Sequence, residues 1–178
     1  MAPTPRFQLR DATAEWHDRV DGLFARLDLG NREDYRRFLA SQAAALLPVE
    51  EWLDHHEAAR VLPDWSSRRR GHLLREDLAD LDTPVPAAEP IEIPGDDSAI
   101  LGAAYVLEGS RLGGAMLVRQ VPDDLPRRFL SGEGKGDWRG FVAQIDRQLT
   151  DPADLAAAIA TARSVFTAFE QAGRRTLG

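Results

Sequence analysis

The stretch Leu101–Gln120, LGAAYVLEGSRLGGAMLVRQ, carries four glycines and no proline, and its apolar residues keep helical spacing. At about 3.6 residues per turn, Gly102, Val106, Gly109 and Gly113 fall along one side, with Ser110 beside them. A glycine inside a helix costs up to about 1 kcal/mol relative to alanine, so this face must do something that side chains would prevent. Two arrangements have that requirement. Either a second helix packs at close approach, or a flat ligand lies directly on the backbone. Glycines also let a helix bend and aim its peptide groups at such a ligand. Close helix packing is the commoner use, and the glycine pattern alone leaves both open.

The remaining segments are helical too. From Phe7 to about Leu27, Leu9, Trp16, Val20, Leu23 and Phe24 recur at helical spacing after a loosely tied start over residues 1–6. Asn31 reads as an N-cap, with Asp34 in the first turn and Tyr35, Phe38, Leu39, Ala43 and Leu46 as the apolar stripe. Pro48 is expected to bend or end that helix. Trp52, Leu53 and Ala59 continue a third, and Pro63-Asp64 precedes a helix holding Leu73, Leu74, Leu78 and Leu81. Residues 82–97, with four prolines, form the longest irregular connection, read as a loop across one domain. After the prolines and glycines of residues 121–136, Trp138, Phe141, Val142, Ile145 and Leu149 resume helical spacing. Asp151-Pro152 restarts the last helix, with an acidic cap and proline at the first position. No strand and no internal repeat is signalled. The expected fold is all-α, with residues 1–178 as one domain.

At 178 residues the chain can bury a sizeable core. Without cysteine it has no disulfide framework, thiolate ligand or cysteine-held cluster, which suits a cytoplasmic protein. A net charge of −7 argues against a general nucleic-acid binder. No apolar run is long enough to cross a bilayer, and residues 1–11 lack the apolar core of a secretory signal.

Two segments carry a family resemblance. Tyr105–Gly114, YVLEGSRLGG, resembles the distal-helix motif of haem oxygenases, most closely in the bacterial branch associated with biliverdin-binding phytochromes. Leu9–His17, LRDATAEWH, resembles that family's histidine segment and stands in the matching order. Tyr35–Leu39 and the Trp138–Phe141 stretch extend the likeness over nearly the whole chain. The resemblance implies a helical bundle with haem between the first helix and the glycine-rich one. It also implies oxidative opening of haem to biliverdin, with release of CO and iron. Haem is then both substrate and cofactor, and O₂ the oxidant. Electrons would come from an external donor of ferredoxin or reductase type, since no flavin or nicotinamide fingerprint is present. A bacterial phytochrome is the candidate acceptor of biliverdin.

By the same resemblance His17 is the iron ligand, and Gly109, Gly113 and Ser110 are the catalytic face. Thr13, Val106 and Gly114 line the haem. Arg10, about 10.5 Å up the axis from His17, reaches a haem propionate. Arg139 is a second candidate cation at the haem edge, and Phe141 stacks near it or belongs to the core. Arg10 has a plainer alternative as a surface charge paired with Asp11 or Glu15. His55 and His56 sit among charges and are expected to face solvent. Arg68-Arg69-Arg70 before His72 reads as a solvated, positively charged helix start. Ser110 departs from the aspartate that many family members carry there, and a hydroxyl cannot supply a carboxylate's charge. Glu108 is no replacement, since it projects about 100° from the Gly109 direction. Two rivals stay open: a haem carrier or sensor without turnover, and a helical module whose glycine face packs only on protein.

Overall fold

The computed structural model describes residues 3–132 and 137–178, and these contain helices and no strand. In chain order the helices are α1 (Pro5–Phe24), α2 (Arg32–His55), α3 (Trp65–Arg68), α4 (Gly71–Asp80), α5 (Asp97–Leu117), α6 (Arg128–Ser131), α7 (Trp138–Gln148) and α8 (Pro152–Leu177). Short 3₁₀ turns lie at Ala58–Arg60 and Val118–Gln120. Caps start several helices where the sequence places them. The Asn31 side chain accepts from the Glu33 and Asp34 amides, and Asp151 accepts from Ala153 with Pro152 next in line. α1 begins at Pro5, before the predicted Phe7, because proline suits the first turn. The Arg6 amide donates to Asp146 at 3.0 Å, tying this start to α7. Of the expected loose tail, residues 1–2 lie outside the described residues, as do residues 133–136 of the Pro/Gly connection.

α8 is the central element, packed against α1, α2 and α5. Its inward face combines small residues (Ala158, Ala162, Ala168, Ala172, Gly173) with Val165, Phe166 and Phe169. Small residues let neighbouring backbones come close. A Cβ on Gly173 would strike the Leu23 side chain of α1. Arg163 of α8 lies 4.3 Å from the Trp16 ring and donates to the Ala12 carbonyl at 2.8 and 3.0 Å, fixing α1 along α8.

Pro48 does not end its helix: α2 runs through it to His55. Proline has no N–H, so the Ala44 carbonyl four residues back loses its helical donor. The Glu89 amide of the 82–97 loop donates to that carbonyl at 2.8 Å. Glu89 is itself buried, with its carboxylate paired to Arg175 of α8. The proline-rich loop is thereby anchored to both α2 and α8.

Candidate functional site

α5 is capped by Asp96, whose carboxylate accepts from the Ala99 amide at 2.8 Å. Its glycines divide into two kinds. A Cβ on Gly102 would meet the Ala158 carbonyl of α8, and one on Gly114 would lie 3.3 Å from Leu130 of α6. Those two serve protein packing. Among the described residues, a Cβ on Gly109 or Gly113 would meet nothing within 4 Å. The expected single glycine stripe is therefore two surfaces, with helix packing at its start and an open backbone face from Gly109 to Gly113. Val106, between them, is buried in the core, so it backs this face from within. Leu112 and Met116 beside it are exposed, at 46% and 70%.

His17 is exposed on α1, and its ring meets the edge of Phe166 at 6.0 Å. Its Nδ1 lies 3.3 Å from the Asp21 carboxylate and 3.8 Å from Asp18. A carboxylate accepting from Nδ1–H leaves the lone pair on Nε2, which is the tautomer a metal needs. One turn earlier, the buried Thr13 hydroxyl donates to the Leu9 carbonyl at 2.8 Å and is hydrogen-bonded with Tyr105 of α5. The two halves of the site meet at that pair. Burial pushes the Tyr105 hydroxyl above its ordinary pKa, against the Thr13 bond and the nearby Arg10 charge. Tyr105 leads into a run of rings, 6.0 Å to Trp138 and 6.1 Å from there to Phe141. Phe141 is buried core beneath the Arg68 guanidinium.

Arg10 is exposed, donates to Asp11 at 2.7 and 2.9 Å and lies over the Phe7 ring. Arg139 is exposed on α7. His55 and His72 are exposed, whereas His56 is half-buried, stacked on Trp52 with Nδ1 2.8 Å from the Trp52 carbonyl. Its expected solvent-facing position is corrected by that stack. Among the described residues, no cluster of three metal-ligating side chains occurs. Clefts of about 300 and 440 Å³ are lined by other residues, around Leu23 and Arg37 and around Pro5 and Ile159.

The arginine triplet is not a solvated helix start. Arg68 and Arg70 are 6% and 2% exposed, and only Arg69 faces out, 3.2 Å from Asp54. Arg69 is extended, so successive side chains point to opposite sides. The Glu50 carboxylate accepts from the Arg70 and Gly71 amides at 2.7 and 2.9 Å, capping α4 from α2. Burial raises the Glu50 pKa despite those bonds. Arg70 donates through Nη2 to the Leu107 carbonyl at 2.9 Å and to Ser110 Oγ at 3.4 Å. Burial lowers its pKa to about 10, so it stays cationic at neutral pH. Glu108 is held elsewhere, 2.9 Å from Arg68 and 3.3 Å from Arg111. Sequence reasoning thus missed Arg70, Arg68 and Glu50 at this site. Asp21 was legible in principle, four residues after His17 on the same helical face.

A haem oxygenase from Xanthomonas campestris pv. campestris (strain 8004) is 34% identical over 144 residues, 77% of this chain and 87% of that protein. The haem oxygenase PigA of Pseudomonas aeruginosa (strain PAO1) is 32% identical over 146 residues, 75% of this chain and 73% of that one. The chain belongs to the haem oxygenase family. The NO- and CO-bound haem oxygenase of Neisseria meningitidis superposes with a TM-score of 0.81 at 28% identity, covering 99% of this chain and 94% of that one. No family model matches. As a haem oxygenase, the protein opens haem oxidatively to biliverdin, with release of CO and iron. The all-α fold and the enzyme class read from the sequence are thus found, and the carrier and packing-module rivals are not favoured. The residues fit haem: Gly109 and Gly113 leave a backbone face that side chains would fill, and His17 has a carboxylate on Nδ1.

Proposed function

We propose that this haem oxygenase holds its substrate between His17 of α1 and the Gly109–Gly113 face of α5. The observation carrying this reading is the division of the glycines: packing against the described residues accounts for Gly102 and Gly114, and among those residues nothing lies within 4 Å of a Cβ on Gly109 or Gly113. Bound haem supplies the iron that reduces O₂ and the porphyrin carbon that is oxidised. His17 would hold the iron through Nε2, with the Asp21 carboxylate 3.3 Å from Nδ1 orienting the ring. Gly109 and Gly113, having no side chains, would keep this face of α5 open beside bound haem. Ser110 Oγ accepts from Arg70, so its own proton is free to donate to water or ligand. Arg70 thereby sets a fixed cation beside Ser110, the position at which many members carry an aspartate.

Thr13, Val106, Gly114 and Phe141 shape the walls from behind. Arg10 and Arg139, both exposed, turn to the propionates, and for Arg10 this means exchanging Asp11 for a ligand carboxylate. The electron donor is a separate ferredoxin- or reductase-type protein, and a bacterial phytochrome takes the biliverdin. The enzyme works in the cytoplasm; among the described residues no helix is long and apolar enough to cross a membrane.

Haemin titration of purified variants tests the ligand. His17→Ala should lose the native ferric spectrum and most turnover, and added imidazole should partly restore both. An unchanged spectrum in His17→Ala, with loss instead in a His55, His56 or His72 variant, would refute the assignment.

A further inference from the structure

A buried guanidinium is planar, and its orientation depends on what meets its faces as well as its edges. Both contacts of Arg70 to α5 run through one nitrogen, Nη2, about which the plane could pivot. Its face is covered by the Phe129 ring, 4.8 Å from the guanidinium carbon. Phe129 is 1% exposed and is anchored through its backbone: its amide donates to Asp77 Oδ2 at 2.9 Å. The Arg128 amide meets Asp77 Oδ1 at 3.3 Å, and the Arg128 guanidinium closes on Asp77 and Asp80 at 3.0 and 2.7 Å. Just upstream, the Tyr35 hydroxyl donates to the Pro126 carbonyl at 2.8 Å. On α5 the supported positions are Leu107 and Ser110, and Gly114 meets Leu130 of the same short helix. These three share a helical face at i, i+3 and i+7.

We propose that Phe129 is a positioning residue for haem opening: its ring, fixed by Asp77 through the backbone, holds the Arg70 guanidinium on the Leu107 carbonyl and the Ser110 hydroxyl. This rests on the reading of Ser110 and Arg70 given above. A ring that merely fills core would act on stability independently of Arg70. One that acts through the guanidinium loses its effect once the guanidinium is gone.

The test is a double-mutant cycle on the haem-loaded enzyme with Phe129→Leu and Arg70→Met, and Val49→Ala as a core control. Phe129→Leu should slow biliverdin formation about fivefold with Arg70 present and less than about twofold in Arg70→Met. In the haem-free protein, NMR should show the Arg70 guanidinium protons exchanging at least about tenfold faster in Phe129→Leu and unchanged in Val49→Ala. Should Phe129→Leu not fold, Phe129→Met, whose unbranched side chain adapts to an irregular space without supplying a ring, is read the same way. Full multiplicativity of the two rate effects, or unchanged Arg70 exchange in the Phe129 variant, would overturn the proposal. If Arg70→Met binds haem and turns over like wild type, the reading of Ser110 and Arg70 falls, and this proposal with it.

Discussion

Ser110 puts a neutral hydroxyl on the open face of α5, within 3.4 Å of a buried cation. A hydroxyl of this kind can be replaced by one more water in a polar pocket, whereas a carboxylate that fixes a whole network cannot. Ser110→Ala also leaves the Arg70 bond to the Leu107 carbonyl in place. Haem affinity should therefore be nearly intact, and biliverdin formation should fall by about tenfold or less, about 1.4 kcal/mol in the barrier. Rates for the two proteins with one reductant decide this. A loss of about a thousandfold with haem still bound would make Ser110 a catalytic group in its own right. The serine was legible because it interrupts a motif. Its cationic neighbour was not, since three consecutive arginines beside a glycine look like a solvated surface. Their alternation between interior and solvent depends on Glu50 and Glu108, which reach them from helices distant in the chain.

α5 assigns different tasks to glycines that look alike in sequence, and stability measurements can separate them. Gly102→Ala forces a Cβ onto the Ala158 carbonyl, backbone that cannot turn aside, and should destabilise the protein by about 1–3 kcal/mol. Gly113→Leu meets open space among the described residues and gains helix propensity, so the haem-free protein should be as stable as wild type or up to about 1 kcal/mol more so. Yet it should lose haem binding or turnover. Urea unfolding of both variants, set beside haemin titration, checks the contrast. Destabilisation by several kcal/mol in Gly113→Leu would return that glycine to helix packing. The spacing placed these residues on one helix side, but spacing cannot tell a neighbouring backbone from open space.

At the scale of the molecule, charge burial leaves a pH signature. Glu50 binds its proton more tightly folded than unfolded, because burial outweighs the amide bonds that it accepts. Its contribution to stability is thus fully present at and below the unfolded value, 4.5, and is lost as pH rises through the raised folded value. Relative to Glu50→Gln, wild type should lose stability across that window, as measured by urea unfolding at successive pH values. A difference that grows with pH would show that the amide bonds outweigh burial.

The Pro48 site has a consequence for the order in which the protein comes apart. The Ala44 carbonyl that Glu89 uses lacks its helical donor because Pro48, four residues on inside an assembled helix, has no N–H. The loop can therefore dock only onto a finished α2, and it should detach before α2 opens. Native-state hydrogen exchange should find the Glu89 amide in a lower-energy opening unit than the amides of α2. Pro48→Ala would set two donors against one carbonyl, and Glu89 should then exchange faster still. What reads in sequence as a helix breaker is a lock for a distant loop, closed last and opened first.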